Sequence, residues 1–123
     1  MLQAIKVTTT GSAGSATGTT TGTFQARGYL MGVRIDYNAS APNTTIVTIT
    51  EAGGMRRTLL TAPAANTDVT FNPQSLVNKN DGTSAAVYWP YYLDGVNITV
   101  AVSASDALTD AVEVLLSIAG DVR

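Results

Sequence analysis

The sequence predicts an all-β protein: an antiparallel, jelly-roll-like β-sandwich of about eight strands in a single domain over residues 1–123. Three observations carry that expectation. Apolar residues recur at every second position in several runs, most clearly at 29–37, 98–102 and 112–118, a period that places side chains on one face only in extended backbone. Clusters of Gly, Pro, Asn and Asp separate the runs at a spacing of about a dozen residues. No stretch carries the 3.6-residue period of an amphipathic helix long enough to pack.

In chain order, residues 2–8 give a short strand with Ile5 and Val7 on one side and Ala4, Lys6 and Thr8 on the other. From Thr8 to Thr23 every residue is Gly, Ala, Ser or Thr. Nothing there is large enough to anchor a core, so 8–23 reads as an arm or loop. Such a segment can add to a neighbour's sheet edge through its backbone, which makes Thr10, Thr17 and Thr20 candidate contacts; a flexible loop is the other reading. The central unit is Tyr29–Leu60. In its first run Tyr29, Met31, Val33, Ile35 and Tyr37 share one face, with Leu30, Gly32, Arg34 and Asp36 on the other. Turn formers at 38–43 lead to a threonine-rich strand through Ile46, Val47 and Ile49. Glu51-Ala52-Gly53-Gly54 makes a corner, and Met55–Ala62 resumes an extended run that Pro63 ends.

A brief strand is expected at Asp68–Phe71, stopped by Asn72-Pro73, and 72–85 reads as irregular around the turn Asn80-Asp81-Gly82. Tyr88, Trp89, Tyr91 and Tyr92 then follow within five positions. An alternating strand cannot turn all four inwards, so part of the cluster is expected at the surface or under a partner. Pro90 restricts this strand to an edge, a bulge or a bend. Ile98, Val100 and Val102 define the next strand, and 103–109 is a connection with room for one helical turn at 105–108. In the last strand, Val112, Val114, Leu116 and Ile118 fill one face, while Leu115 and Ala119 on the other suggest a central or covered position.

Composition narrows the function classes. Seven basic and nine acidic residues give a net charge of −2, and 13% charged residues is about half the usual ~25%. With 45% apolar residues, a surface so poor in charge argues for assembly with other chains. There is no cysteine and no histidine, which removes disulfides, the commonest transition-metal ligands and the Ser-His and Cys-His pairs of nucleophilic catalysis. No metal or cofactor is expected, and the protein is not expected to be an enzyme. The acidic residues fall mostly at turns or on polar faces and form no evident catalytic pair. Asn78–Gly82 does not make a calcium loop, because Lys79 sits among the ligand positions and Trp89 stands where the bidentate Glu belongs. Arg56-Arg57 is the one adjacent basic pair, too little for nucleic acid. It reads as a solvated strand end, a partner for Glu51, or a contact to an acidic patch on another protein. No membrane span or secretory leader is expected from the apolar runs. The aromatic cluster, with Asp94 or Asn97 as polar partners, would also suit sugar stacking, the other reading being core or subunit interface.

Two segments, GYLMGVRIDYNASAPNTTIVTITEAGGMRRTLLT at 28–61 and DGVNITVAVSASDALTDAVEVLLSIAGDV at 94–122, resemble the head decoration, or cement, proteins of tailed bacteriophages. That resemblance implies a non-enzymatic structural protein made in the host cytoplasm and carried on the capsid exterior. It further implies binding to the major capsid protein as a homo-oligomer, a trimer in preference to a dimer. No catalytic residues come with it. On this view the 8–23 segment grips the capsid or a neighbouring subunit and is dispensable for folding, and the contact candidates are Tyr88, Trp89, Tyr91, Tyr92, Arg56 and Arg57. A carbohydrate-binding module, or a tail or head–tail component, is the alternative.

Overall fold

The computed structural model describes residues 1–122. Its strands are β1 (Leu2–Val7), β2 (Ala16–Thr21), β3 (Ala26–Tyr37), β4 (Ile46–Glu51), β5 (Thr58–Ala62) and β6 (Val69–Phe71), followed by β7 (Gln74–Asn78), β8 (Ser84–Pro90), β9 (Tyr92–Val96), β10 (Ile98–Ser105) and β11 (Val112–Val122). The protein is all-β, with more strands than the eight or so expected. The excess arises because 8–23, expected to be an arm or loop, supplies β2, because 72–85, expected to be irregular, supplies β7 and the start of β8, and because β9 separates from β8 at Tyr91. No helical turn forms at 105–108; Ser105 still belongs to β10, and the chain bends at Ala107 before a turn at 109–110.

Every strand pairing is antiparallel. One sheet has the order β1-β11-β3-β6, with β9 also on β3, and a second has the order β2-β10-β4-β5. β9 pairs with the first four residues of β3 and β6 with Val33–Ile35, so the two short strands share one long edge. The inward residues of both sheets form one cluster: Val33, Ile35, Val114 and Leu116 from the first sheet, and Val47, Ile49, Ile98 and Val100 from the second, all at 0% exposure. Alternation dictates this, since each strand offers the core every second side chain.

The alternation breaks once in β3. Leu30 pairs with Ile118 and Gly32 with Ser117, so Met31 has no partner across the ladder, the signature of a β-bulge. β11 keeps its phase and β3 does not. Val33, Ile35 and Tyr37 point into the core as expected, but Leu30 also points inwards, while Tyr29 and Met31 turn out to solvent. The single shared face expected for Tyr29 through Tyr37 is therefore corrected by one inserted residue.

The 8–23 segment is also corrected. Its second half is β2, an edge strand on β10, and its first half is tied by the bridge between Thr10 and Thr17. Thr9 Oγ1 donates to Asp106 O at 2.5 Å and accepts from Leu108 N at 3.0 Å. Small residues serve here for packing: a Cβ added at Gly18 would lie 2.3 Å from Thr8 O. At the other end of β2 the outer face of the second sheet carries a row Thr21, Thr99, Thr50, Thr58 in register, with a hydroxyl–hydroxyl bond of 2.8 Å between Thr21 and Thr99.

The close approach at Gly18 gives a direct test of strand against arm. Gly18→Val is expected to cost roughly 1–3 kcal/mol by overpacking, read as a lower urea midpoint at unchanged slope. An unchanged midpoint would mean that the segment is a free arm after all.

Candidate functional site

The feature that sets this surface apart is the β7–β8 hairpin, which pairs with no other strand. Its turn is locally determined. Lys79 N donates to Thr83 O at 2.7 Å and Gly82 N to Lys79 O at 2.9 Å, with Gly82 at φ +84°, a conformation glycine adopts without cost. Asp81 Oδ1 accepts from Thr83 Oγ1 at 2.6 Å and from Thr83 N at 3.0 Å. Those bonds, the side-chain one foremost, lower the Asp81 pKa.

The hairpin register sets Ser75 opposite Trp89 and Leu76 opposite Tyr88. Successive residues of a strand face opposite ways, so Trp89 stands on one face of the hairpin and Tyr88 with Leu76 on the other. Both faces are apolar and both are exposed: Tyr88 is 62% and Trp89 56% accessible, and Leu76, Val77 and Val87 are exposed as well. Tyr92 continues the surface onto β9, where it pairs in register with Tyr29, ring centroids 5.2 Å apart. Met31, turned outwards by the bulge, adjoins the root of the hairpin, since Asn72 Nδ2 donates to Met31 O at 2.9 Å. Exposed apolar side chains therefore stand both on the hairpin and, beside its root, on the first sheet.

The expected aromatic cluster is thereby divided. Tyr88, Trp89 and Tyr92 are exposed, whereas Tyr91 packs against the core and lies under the Arg57 guanidinium, 5.2 Å from ring centroid to Cζ. The two arginines are divided too. Arg56 occupies the turn at φ +53° with its side chain exposed. Arg57 is not a solvated strand end: its Nε and Nη2 reach Glu51 at 2.7 and 3.1 Å, its backbone N–H donates to the same carboxylate at 3.0 Å, and Nη2 also donates to Tyr92 O at 2.7 Å. Glu51 is 5% exposed. This clamp ties the β4–β5 corner of the second sheet to β9 of the first. Burial works against the charged form of Glu51, but the hydrogen bonds from Arg57 outweigh it and hold the carboxyl below its usual range; the same pairing raises the Arg57 pKa.

Of the three threonines, Thr10 and Thr17 bridge to one another at the exposed end of β2, and Thr20 is half-buried opposite Val100. They lie on the second sheet, not with the aromatic surface on the first. The polar partners considered for sugar stacking are already engaged: Arg27 Nη1 donates to Asp94 Oδ1 at 2.8 Å, and Asn97 Nδ2 donates to Gly22 O and Phe24 O at 2.9 and 3.0 Å. Sequence reasoning missed Tyr29, Met31, Leu76, Val77 and Val87. Apolar pairs on either side of Asn80-Asp81-Gly82 were the available signal for the last three. For Tyr29 and Met31 the bulge leaves no sequence signal.

Two other features are chemically distinct. A shallow apolar pocket of about 280 Å³ is lined by Tyr37, Pro63, Ala65, Asp68, Val69 and Phe71. The Tyr37 hydroxyl is buried without a hydrogen-bond partner, and burial, with the Asp68 charge second, raises its pKa. Among the described residues no group of three His, Cys, Asp or Glu side chains is placed to hold a metal ion, and no helix is long and apolar enough to cross a membrane. Compared with protein-family models, with curated proteins and with solved structures, the chain matches none.

The clamp has a pH signature. The Glu51 pKa is lowered on folding, so its contribution is complete above the unfolded-chain value of about 4.3 and is lost as pH falls through the lower folded value. Arg57→Leu is expected to cost roughly 3 kcal/mol near neutral pH by stranding a buried carboxylate, and the deficit is expected to shrink as pH falls, because protonating Glu51 removes the stranded charge. The double variant Glu51→Leu/Arg57→Leu recovers most of that loss. Urea unfolding between pH 3 and pH 7 (about the range in which a carboxylate titrates) reads both effects, and an Arg57→Leu deficit of the same size at both ends of that range would mean that the clamp does not stabilise the fold through the Glu51 charge.

Proposed function

We propose that this chain is a non-enzymatic structural protein that works by assembly, binding and stabilising the outer surface of a tailed-bacteriophage capsid as a homo-oligomer, with a trimer favoured over a dimer. The observation that carries the assembly reading is the β7–β8 arm, apolar on both faces and uncovered. Large apolar side chains on both sides of a two-stranded hairpin are costly in water, and such a hairpin is marginal alone. They are accounted for when another chain buries them. The Thr21–Thr99–Thr50–Thr58 row supports the same reading, since a contact surface without charge avoids the desolvation penalty of ionic groups.

The strand order supports the finer, jelly-roll-like sandwich reading. With β7, β8 and β9 set aside, the remaining strands run β1-β11-β3-β6 over β2-β10-β4-β5. Each two-strand connection then crosses between sheets except β4–β5, which is the order of a double Greek key, an architecture used by viral capsid and lectin domains. Fold alone does not assign function; the virion role rests on the sequence resemblance together with the arm. On this proposal the protein is made in the host cytoplasm, its partner is the major capsid protein, and its place is the capsid exterior.

Capsid shells assembled without this protein provide the test. Purified protein is expected to co-sediment with them at a saturating, symmetry-related stoichiometry and to raise their resistance to heat. Tyr88→Ser/Trp89→Ser is expected to weaken that binding at least about tenfold, the scale on which losing buried aromatic anchors is felt. Absence of co-sedimentation would overturn the capsid role.

A further inference from the structure

We infer that the arm of one copy docks into the cleft between β5 and β6 of a second copy, so that head-to-tail exchange of arms builds the homo-oligomer; this rests on the assembly reading above and specifies its partner. The cleft, about 430 Å³, opens between two edge strands of different sheets and is lined by Thr58, Leu60, Thr61, Phe71, Pro73 and neighbouring residues. β5 has a partner only on its β4 side, leaving a backbone edge of the kind to which extended segments add.

Geometry decides which copy supplies the arm. The cleft lies at the root of the chain's own arm, since Pro73 and Gln74 line it, and both roots are fixed. Pro73 precedes the first strand of the arm and Pro90 ends the second, so Asn72 and Trp89 are held in extended backbone. Asn72 is bonded to Met31 O, and Leu30 N donates to Tyr91 O at 2.9 Å. An arm anchored in this way stands off its own body, and the cleft beside its root is left for an arm from elsewhere.

Chemistry and area fit a second copy. The cleft lining carries no charged residue, and the arm carries only Lys79 and Asp81, opposite in sign and both at the tip. At their observed exposures, the arm's own Leu76, Val77, Val87, Tyr88 and Trp89 present on the order of 500 Å², and the strand backbone adds to this toward the roughly 800 Å² that one partner contributes to a standard interface. One arm and one cleft per copy make the contact heterologous, so it closes into a ring when the rotation permits.

The experiment is complementation by molar mass. Tyr88→Ser/Trp89→Ser spoils the arm and keeps the cleft, whereas Thr58→Arg/Thr61→Arg alters exposed residues to block the cleft and keeps the arm. Light scattering is expected to give an oligomer for the native chain, a monomer for each variant, and a 1:1 dimer when the two variants are mixed, with circular dichroism confirming native strand content throughout. A mixture of folded variants that stays monomeric, or a native chain that is monomeric at all concentrations, overturns the inference. A monomeric chain that still binds capsids would sink arm exchange and leave the capsid role standing, whereas a complementing pair without capsid binding would do the reverse.

Discussion

The ladder between β3 and β11 runs from Tyr37 and Val112 at one end to Ala26 and Val122 at the other, and the rest of the architecture is attached to it. β1 adds to the far side of β11, while β6 and β9 share the free side of β3. Two long central strands would ordinarily put one face into the core throughout. The bulge at Met31 lets β3 bury Val33 and Ile35 at one end and Leu30 at the other while sending Tyr29 and Met31 outwards. A single inserted residue thus converts part of a core strand into the floor of an exposed apolar surface. Where β3 runs closest to β11, space is so restricted that a Cβ at Gly28 or Gly120 would lie 2.3 Å from a carbonyl oxygen of the other strand, which leaves little room for the ladder to shift.

The molecule divides energetically into a body and an appendage. The body is held by one apolar cluster drawn from both sheets, closed at one corner by the Glu51–Arg57 clamp and at another by Thr9 and its bonds to the 106–108 loop. The arm contributes little to that core and gains little from it, its order coming from the Asp81–Thr83 turn and the ladder between its two strands. Tyr88 and Trp89 stay exposed on it, and the proposed assembly would bury them, which is why we assign function to the appendage and stability to the body.

Much of the body was legible in the sequence, because period-two alternation is a local signal that burial on one face enforces. Ile5 and Val7, Ile98 to Val102, and Val112 to Ile118 all point where their spacing says. The misses share a cause, dependence on a distant residue. Nothing near Met31 announces that Ser117 and Ile118 will pair around it. Nothing in a Gly/Ser/Thr run announces that β10 is waiting for it, since backbone pairing needs no particular side chain. Arg57 could be matched with Glu51 by distance along the chain, but its burial and its bond to Tyr92 O follow from β9 arriving alongside. The arm was half legible: its turn residues and its aromatic side were plain, and the polar appearance of 72–85 concealed the other strand.

Whether the arm is covered by another chain, as proposed, is reported directly by the single tryptophan, because Trp89 lies on the arm with half of its surface exposed. The decisive measurement is Trp89 fluorescence, with iodide quenching, across the concentration range over which the protein associates or binds capsids. A red-shifted, quenchable emission in the dilute protein is expected to move to the blue and become shielded as complexes form. An emission that stays solvent-exposed and quenchable in the fully assembled state would mean that no partner covers the arm.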